Sequence, residues 1–240
     1  MTKPIARDAM YRKRVFDAEV IELCVCSYIT YRLSYRDLVD LMAERGIQVA
    51  HTTILRWVLR YVPEYEKRWN RLARPVGTSW RVDETYVSIR GRWHYLYRAV
   101  DKHGRTIDFL LRPDRGIAAA QAFFRKALAS VAPRVPRKIT LDGHVPSRRA
   151  LWLLRREHPC WRNVQVRTNR YLNNIIEQDH RAIKRRCASM AGLKSFASAA
   201  VTIAGIELAH RIRKRQFNLG RHYRRRRGWS QKDEWTIALA

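Results

Sequence analysis

Apolar residues in the first third of the chain recur at helical spacing and are interrupted by polar turns. The spacing predicts a helix over 15–30, a second helix after an S-x-x-D capping box at Ser34, and a third after a turn that contains Gly46. Two helices joined by a short glycine-containing turn are typical of a helix-turn-helix. We therefore predict a helix-turn-helix DNA-binding domain over residues 15–72, preceded by a basic arm over residues 1–14.

The pattern changes from helical spacing to β-rich runs at Trp80, after a charged stretch over 63–75 that is broken by prolines and marks the predicted domain boundary. Three β-rich runs joined by short glycine turns predict an antiparallel meander. A helix, a strand that ends at Asp142, a helix, a strand and another helix follow, which is the order of elements in the ribonuclease-H-like fold. The predicted class is α/β: a ribonuclease-H-like catalytic domain over 73–216, with a five-stranded mixed sheet and flanking helices, followed by a basic C-terminal tail over 217–240.

The charge of the chain indicates its kind of partner. It carries 49 Lys and Arg residues against 21 Asp and Glu residues, a formal net charge of +28. An excess of this size favours a phosphate-rich partner, and nucleic acid is the first to consider. A membrane is disfavoured because the sequence has no apolar run long enough to span a bilayer and no lipidation motif. The four cysteines lack metal-binding spacing, so we interpret them as reduced thiols of an intracellular protein.

The predicted third helix carries polar side chains near its N-terminal end, where a recognition helix contacts bases. Thr52, Thr53 and Arg56 are the predicted base contacts, and Arg60 is the predicted phosphate contact. A plain three-helix bundle with a polar outer face is the alternative, but the net charge favours DNA binding.

Residues 171–186 predict a helix with two distinct faces. One face collects apolar residues, namely Ile175, Ile176, Ala182, Ile183 and Cys187. The other collects polar residues, namely Asn173, Glu177, His180, Arg181 and Lys184. Asp179 falls within the apolar stripe, and the sequence indicates no partner for it. His180 is either a surface or packing residue or a group that orients a ligand or DNA.

Three acidic residues stand out in a chain with few of them. Asp83 lies inside the first predicted strand, Asp142 ends the fourth, and Glu177 projects from the helix after the fifth. With strand 1 central and strand 4 beside it, all three can meet at one edge of the sheet. Converging carboxylates repel one another unless cations neutralise them, and oxygen ligands suit Mg²⁺ or Mn²⁺, two ions of which clamp a phosphodiester during in-line displacement. Glu84 is a rival ligand, because neighbours on a strand point to opposite faces and only one of the two can face the site.

The spacing resembles that of the DDE transposases, because 34 residues separate Asp142 from Glu177 and Lys184 follows two helical turns later. Segments in the same order are similar to the IS6-family (IS26-like) bacterial insertion-sequence transposases: SYRDLVDLMAERGIQVAHTTILRWV, DETYVSIRGRWHYLYRAVDKHGRTIDF, RYLNNIIEQDHRAIKRR and LKSFASAAVTIAGIELAHRIRKRQ. The resemblance implies Mg²⁺-dependent DNA strand transfer and a contact of Lys184 with the DNA end. It carries over three catalytic metal ligands, Asp83, Asp142 and Glu177.

The leading hypothesis is therefore a DNA transposase that binds the terminal inverted repeats of its own element. With two metal ions it would release a 3′-OH at each end by hydrolysis, and this hydroxyl would attack a phosphodiester in target DNA by in-line displacement. Arg181 is a further predicted DNA contact. Because both ends must be held together, we expect a homodimer or a larger assembly in the bacterial cytoplasm, associated with the nucleoid. The alternative is a catalytically decayed or domesticated transposase that acts as a DNA-binding regulator. A nuclease of the ribonuclease H class is disfavoured because it has no need of a helix-turn-helix.

Overall fold

The computed structural model describes residues 9–11, 15–143, 145–169, 174–188, 193–219 and 235. These residues fall into two compact units. The first unit contains the described residues up to Ala73 and from Ala197 onward, and the second contains those of Arg74–Ala188 together with 193–196. Within the described part of the chain, no helix has the length and apolar character needed to cross a membrane.

Helices and strands segregate along the chain much as predicted. The helices are α1 (Ala18–Thr30), α2 (Tyr35–Ala43), α3 (His51–Asn70), α4 (Ile117–Val131), α5 (Val145–Glu157), α6 (Asn174–Ala188) and α7 (Phe196–Arg213). The strands are β1 (Ser79–Ile89), β2 (Arg92–Asp101), β3 (Thr106–Arg112), β4 (Lys138–Leu141) and β5 (Gln165–Thr168).

The start of α2 confirms the predicted capping box. The backbone N–H of Asp37 donates to the Ser34 hydroxyl at 3.1 Å, and the backbone N–H of Ser34 donates to the Asp37 carboxylate at 2.6 Å. The two bonds satisfy backbone donors that the first helical turn leaves open. The turn after α2 contains Gly46 at a φ of +72°, and α3 begins after Ala50, whose side chain makes no capping hydrogen bond.

Helix α3 extends into the proline-containing stretch over 63–75 that marks the predicted domain boundary, because it continues through Pro63 to Asn70. A proline inside a helix removes one backbone hydrogen bond and costs about 3 kcal/mol. On both sides of Pro63, however, α3 buries large side chains, and their burial offsets this cost. The buried set is Tyr61, Val62, Tyr65 and Trp69.

Helix α7 groups with the N-terminal helices, whereas the sequence placed it with the sheet in a domain over 73–216. A Cβ atom at Gly205 would lie 2.6 Å from Cγ2 of Ile29 and 3.2 Å from Val62. The backbone of α7 thus approaches α1 and α3 more closely than any larger residue would allow. This contact depends on one glycine, which periodicity does not reveal.

Both predicted terminal segments contribute to the core of the first unit. Tyr11, within the predicted arm, is buried and shares a hydrogen bond of 2.9 Å with the Tyr65 hydroxyl. Trp235, within the predicted tail, is buried and packs against Trp69 with ring centroids 5.5 Å apart. The predicted basic arm and basic tail thus each supply an aromatic side chain to this core. The basic run at 224–227 lies outside the described residues.

The sheet confirms the predicted α/β class. Its strand order is β3-β2-β1-β4-β5, with antiparallel pairing from β3 to β1 and parallel pairing from β1 to β5. This five-stranded mixed sheet, with β1 in its centre and β4 beside it, has the ribonuclease-H-like arrangement. Helices α4 and α5 pack on the face that carries Trp80, Val82 and Leu141, where Phe123 and Phe124 fill the core. Because side chains alternate along a strand, Asp83 lies on the opposite face, which α6 crosses.

Candidate active site

Asp83 and Asp142 occupy neighbouring positions on the two central parallel strands. The ladder between β1 and β4 ends at the pair Val82–Leu141; Asp83 is the next residue of β1, and Asp142 directly follows the last residue of β4. Residues in register on paired strands face the same side of a sheet, so both carboxylates belong to the face covered by α6. The chain turns away at Gly143, whose φ of +111° favours glycine. The side chain of Asp83 is 15% exposed, and Asp142 is exposed.

Glu84 lies on the other face of β1, as alternation requires. Its carboxylate accepts hydrogen bonds from Nη2 of Arg115 at 2.6 Å and from Nε at 3.0 Å. Burial raises the pKa of Glu84 despite this ion pair, and the negative charges of Asp142 and Asp83 raise the pKa further. Glu84 is therefore engaged with Arg115, and Asp83 is the member of the pair that faces α6.

Helix α6 is attached to the sheet by a buried ion pair. Nη2 of Arg98 donates to Oδ2 of Asp179 at 2.6 Å, and the two side chains are 0% and 7% exposed. Arg98 stands directly opposite Asp83 in the ladder between β1 and β2. The acidic residue within the apolar stripe of α6 thus has a partner from β2, which no sequence pattern indicated. This ion pair holds α6 directly beside Asp83.

His180 is buried against the same carboxylate, which corrects its assignment to the polar face of α6. Its Nε2 lies 3.3 Å from Oδ2 of Asp83, and its side chain is 7% exposed. Among the described residues neither ring nitrogen has a hydrogen-bond partner. A buried imidazole in contact with a carboxylate can restrict the orientation of that carboxylate.

Helix geometry determines which side of the sheet Glu177 approaches. Successive helical residues are rotated by about 100°, and Asp179 lies over β2 whereas His180 lies over β1. Glu177 and Lys184 lie roughly 60° and 40° further in the same direction. In the strand order, β4 with Asp142 comes next after β1. Glu177 is therefore directed toward the Asp142 side of the sheet, and its own side chain is exposed.

Basic side chains border this face of the sheet. Arg81 precedes Asp83 by two residues and so shares its face, and Nε of Arg167 donates to the Thr140 hydroxyl at 2.8 Å. Burial lowers the pKa of Arg81, the charge of Arg167 lowers it further, and Asp101 acts in the opposite direction. Positive charge around an acidic pair suits a phosphodiester substrate.

The side chains on this face have the donor chemistry that a divalent metal ion needs, but among the described residues they are not yet gathered into a binding site. Carboxylate oxygens from Asp83, Asp142 and Glu177 are the ligands that Mg²⁺ and Mn²⁺ prefer. In the described ranges, however, no three acidic, histidine or cysteine side chains come close enough together to hold a metal ion. The structure places Asp83 in β1 and Asp142 directly after β4, and helix geometry places Glu177 on the side of α6 nearer to β4. The joint ligand role of the three residues stays a prediction.

The predicted DNA contacts are accessible. Arg181 and Lys184 are exposed on α6. On α3, Thr52, Arg56 and Arg60 are exposed and Thr53 is half-buried. These exposures permit DNA contacts without testing them, so the contacts stay predictions.

Known proteins similar to this chain are transposases, and the solved structures that match it more distantly include an integrase core. Residues 77–216 match the DDE domain family of IS240-type transposases (DDE_Tnp_IS240). Over 230 residues the chain is 35% identical to the transposase for insertion sequence-like element IS431mec of Staphylococcus aureus strain Mu50, covering 96% of this chain and 98% of that protein. It is 34% identical, with the same coverage, to the transposase for insertion sequence element IS257 in transposon Tn4003 of Staphylococcus aureus. The catalytic core domain of BIV integrase is 15% identical, with a TM-score of 0.39 over 55% of this chain and 82% of that one.

Proposed function

Because the chain belongs to the IS6 family of insertion-sequence transposases with a DDE catalytic domain, we propose that it binds the terminal inverted repeats of its own element and joins their 3′ ends to target DNA. The enzyme class is that of a DDE transposase, a polynucleotidyl transferase. The observation that carries the proposal is the placement of Asp83 and Asp142 at adjacent strand positions on the face crossed by α6.

Asp83, Asp142 and Glu177 are the residues that would hold two Mg²⁺ or Mn²⁺ ions. When bound, the ions supply positive charge that stabilises the attacking and leaving oxygens of an in-line displacement at phosphorus. The carboxylates repel one another in the absence of cations, so divalent cations are expected to draw Glu177 and the two Asp side chains together.

The protein side chains around these carboxylates orient the reacting groups. His180 limits the rotation of the Asp83 carboxylate, and the Arg98–Asp179 pair holds the helix that carries Glu177. Exposed Arg181 and Lys184 would bind phosphates of the DNA end and so place the scissile bond at the carboxylates. Water would be the nucleophile that releases the 3′-OH, and the 3′-OH would be the nucleophile that joins target DNA.

The N-terminal helices would select the DNA end. Thr52, Thr53 and Arg56 lie at the start of α3 and would contact base edges, while Arg60 would contact a phosphate. Two ends must be held together during transfer, so the active form would be a homodimer or a larger assembly. It would act on DNA in the bacterial cytoplasm, at the nucleoid.

The test is the joining of a pre-cut end duplex to supercoiled plasmid by the full chain. The duplex comes from DNA that flanks the gene, and the reaction is run in Mg²⁺ and in Ca²⁺. Asp142→Ala is the test variant. Asp114→Ala is its matched control, because Asp114 is an exposed carboxylate paired with Arg112 on the surface of the same unit.

Joined product in Mg²⁺ that is absent in Ca²⁺ and with Asp142→Ala, but present with Asp114→Ala, supports the proposal. Retained joining by Asp142→Ala refutes the assignment of ligands. Specific binding of the end duplex without joining in any metal would instead indicate a decayed transposase that regulates through DNA binding.

A further inference from the structure

A basic groove runs between α5 and β5 in the second unit. Its volume is about 500 Å³, and its lining combines two aliphatic residues of α5 with the six residues Arg148, Arg149, Trp152, Arg155, Val166 and Thr168. We call it the α5 groove. Among the described residues that line it, three are arginines and none is acidic. Such a lining favours an anionic occupant.

Trp152 gives the α5 groove an aromatic surface. It is 42% exposed, so much of the indole is accessible to another molecule. The guanidinium groups of Arg149 and Arg156 lie 4.1 Å and 4.8 Å from its ring centroid. These two residues lie three before and four after Trp152, so helical spacing places them on either side of the indole.

The arginines of the α5 groove differ in their contacts within the protein. The guanidinium of Arg155 donates to the backbone carbonyl of Val164, and so it connects α5 to the chain that enters β5. Arg148 and Arg149 are exposed and contribute their charge to the open side of the groove. They are the cations that an incoming phosphate would meet first.

The α5 groove lies on the face of the sheet that α5 covers, opposite the face of the candidate active site, and the two surfaces meet at the carboxyl ends of β4 and β5. Its lining starts at Val145, three residues after Asp142. It also includes Thr168, which pairs with Leu141 in the ladder between β4 and β5. A DNA strand whose phosphodiester reaches Asp142 can therefore continue past the ends of β4 and β5 onto a basic and aromatic surface.

We propose that the α5 groove binds an unpaired stretch of DNA beside the reacting phosphodiester, with a base stacked on Trp152 and phosphates on Arg148 and Arg149. This proposal rests on the proposed function of the neighbouring carboxylates. Both faces of a base inside a duplex are covered by stacking, so only an unpaired base can lie on the indole. The base would replace the guanidinium of Arg149 over the ring and leave that guanidinium for a phosphate.

Binding of single-stranded and double-stranded DNA by the full chain tests the proposal. The probes are a fluorescein-labelled oligo(dT) of about 20 nucleotides and the same strand annealed to oligo(dA), measured by anisotropy at several salt concentrations. The variants are Trp152→Ala, Trp152→Phe and Arg149→Ala. The matched control is Arg134→Ala, an exposed arginine in the connection that enters β4 at the opposite end of this strand.

Trp152→Ala is expected to weaken binding of the single strand about tenfold and binding of the duplex less than twofold, whereas Trp152→Phe keeps most of the affinity. Arg149→Ala is expected to weaken single-strand binding and to lower its salt dependence by about 0.7 in log–log slope. Arg134→Ala should change either affinity less than twofold. A second measurement does not depend on affinity: oligo(dT) that carries 5-iodouracil should cross-link to the peptide that contains Trp152.

Several results overturn the proposal. One is an unchanged affinity of Trp152→Ala for the single strand. Another is an equal loss of single-strand and duplex affinity in this variant. A change in self-association alone, measured by sedimentation, would mean that the α5 groove binds protein instead. The joining assay separates the two proposals. If the wild type joins DNA and Trp152→Ala binds the single strand normally, only the α5 groove proposal is refuted. If the wild type does not join DNA but its single-strand binding depends on Trp152, only the proposed transposition chemistry is refuted.

Discussion

Removal of the Asp179 carboxylate should release α6 from the sheet at a large cost in stability. The Arg98–Asp179 pair is 2.6 Å long, and its two side chains are 0% and 7% exposed. Asp179→Ala takes the counter-ion from a buried guanidinium, and loss of one partner of a buried pair costs about 3–5 kcal/mol. Because about 1.4 kcal/mol is a factor of ten, the unfolding equilibrium constant should rise by at least ~100-fold.

A solvent-exposed ion pair in the same unit provides the matched comparison with the buried pair. The surface pair of Arg112 and Asp114 is 2.9 Å long, but its side chains are 36% and 50% exposed. Solvent screens such a pair, so Asp114→Ala should cost only about 0–1 kcal/mol. Arg98→Met combined with Asp179→Leu should recover most of the stability lost in Asp179→Ala, because no charge then remains buried.

Urea unfolding followed by tryptophan fluorescence measures these costs, and hydrogen exchange of α6 peptides shows where the loss occurs. Exchange in α6 should accelerate in Asp179→Ala and slow again in the double variant. Joining activity should fall with Asp179→Ala, since α6 carries Glu177. A cost for Asp179→Ala no greater than that for Asp114→Ala, or unchanged exchange in α6, would refute the role given to this ion pair.

Three further predictions concern other parts of the molecule. Gly205→Ala should lower the free energy of unfolding, measured by urea titration, by about 1–3 kcal/mol, because the added methyl group would overlap α1 and α3. Gly116→Ala is the control and should cost under ~1 kcal/mol, because there is open space around Gly116. His180→Ala should reduce joining by about 10–100-fold and raise the Mg²⁺ concentration needed for half-maximal joining. DNA binding, measured by anisotropy, should not change. A loss of DNA binding equal to the loss of joining would contradict the role of His180 beside the Asp83 carboxylate. Exposed Cys160 should react with a thiol reagent at pH 8 in the folded protein. Cys24 should not react, because burial raises its pKa to about 11 and leaves roughly a thousandth of it as thiolate at pH 8. Mass spectrometry of labelled peptides distinguishes the two cysteines. Reaction of Cys24 should increase as the pH rises.

The candidate site could be predicted where it depends on local pattern. Asp83 interrupts a β-rich run and Asp142 ends one, and the predicted strand order placed the two strands side by side, as the sheet confirms. The choice of Asp83 over Glu84 came from resemblance, and alternation on β1 with the Arg115 ion pair now supplies the physical reason. His180 could not be predicted correctly, because its burial depends on how α6 is rotated about its own axis. Periodicity over one helix determines which residues share a face but not where the edge of that face falls.

Local patterns in the sequence were enough to predict the elements and their order, and composition was enough to predict the sign of the charge. These follow from helical and alternating periodicity, from capping and turn residues such as Ser34 and Gly46, and from an excess of basic residues, all of which act over a few residues or over the whole composition. The folded structure was needed to show that α3 continues through Pro63 and that α7 joins the N-terminal helices through Gly205. It also decided that Arg98 pairs with Asp179, because the free energy of a buried contact depends on residues far apart in sequence that come together only in the folded chain.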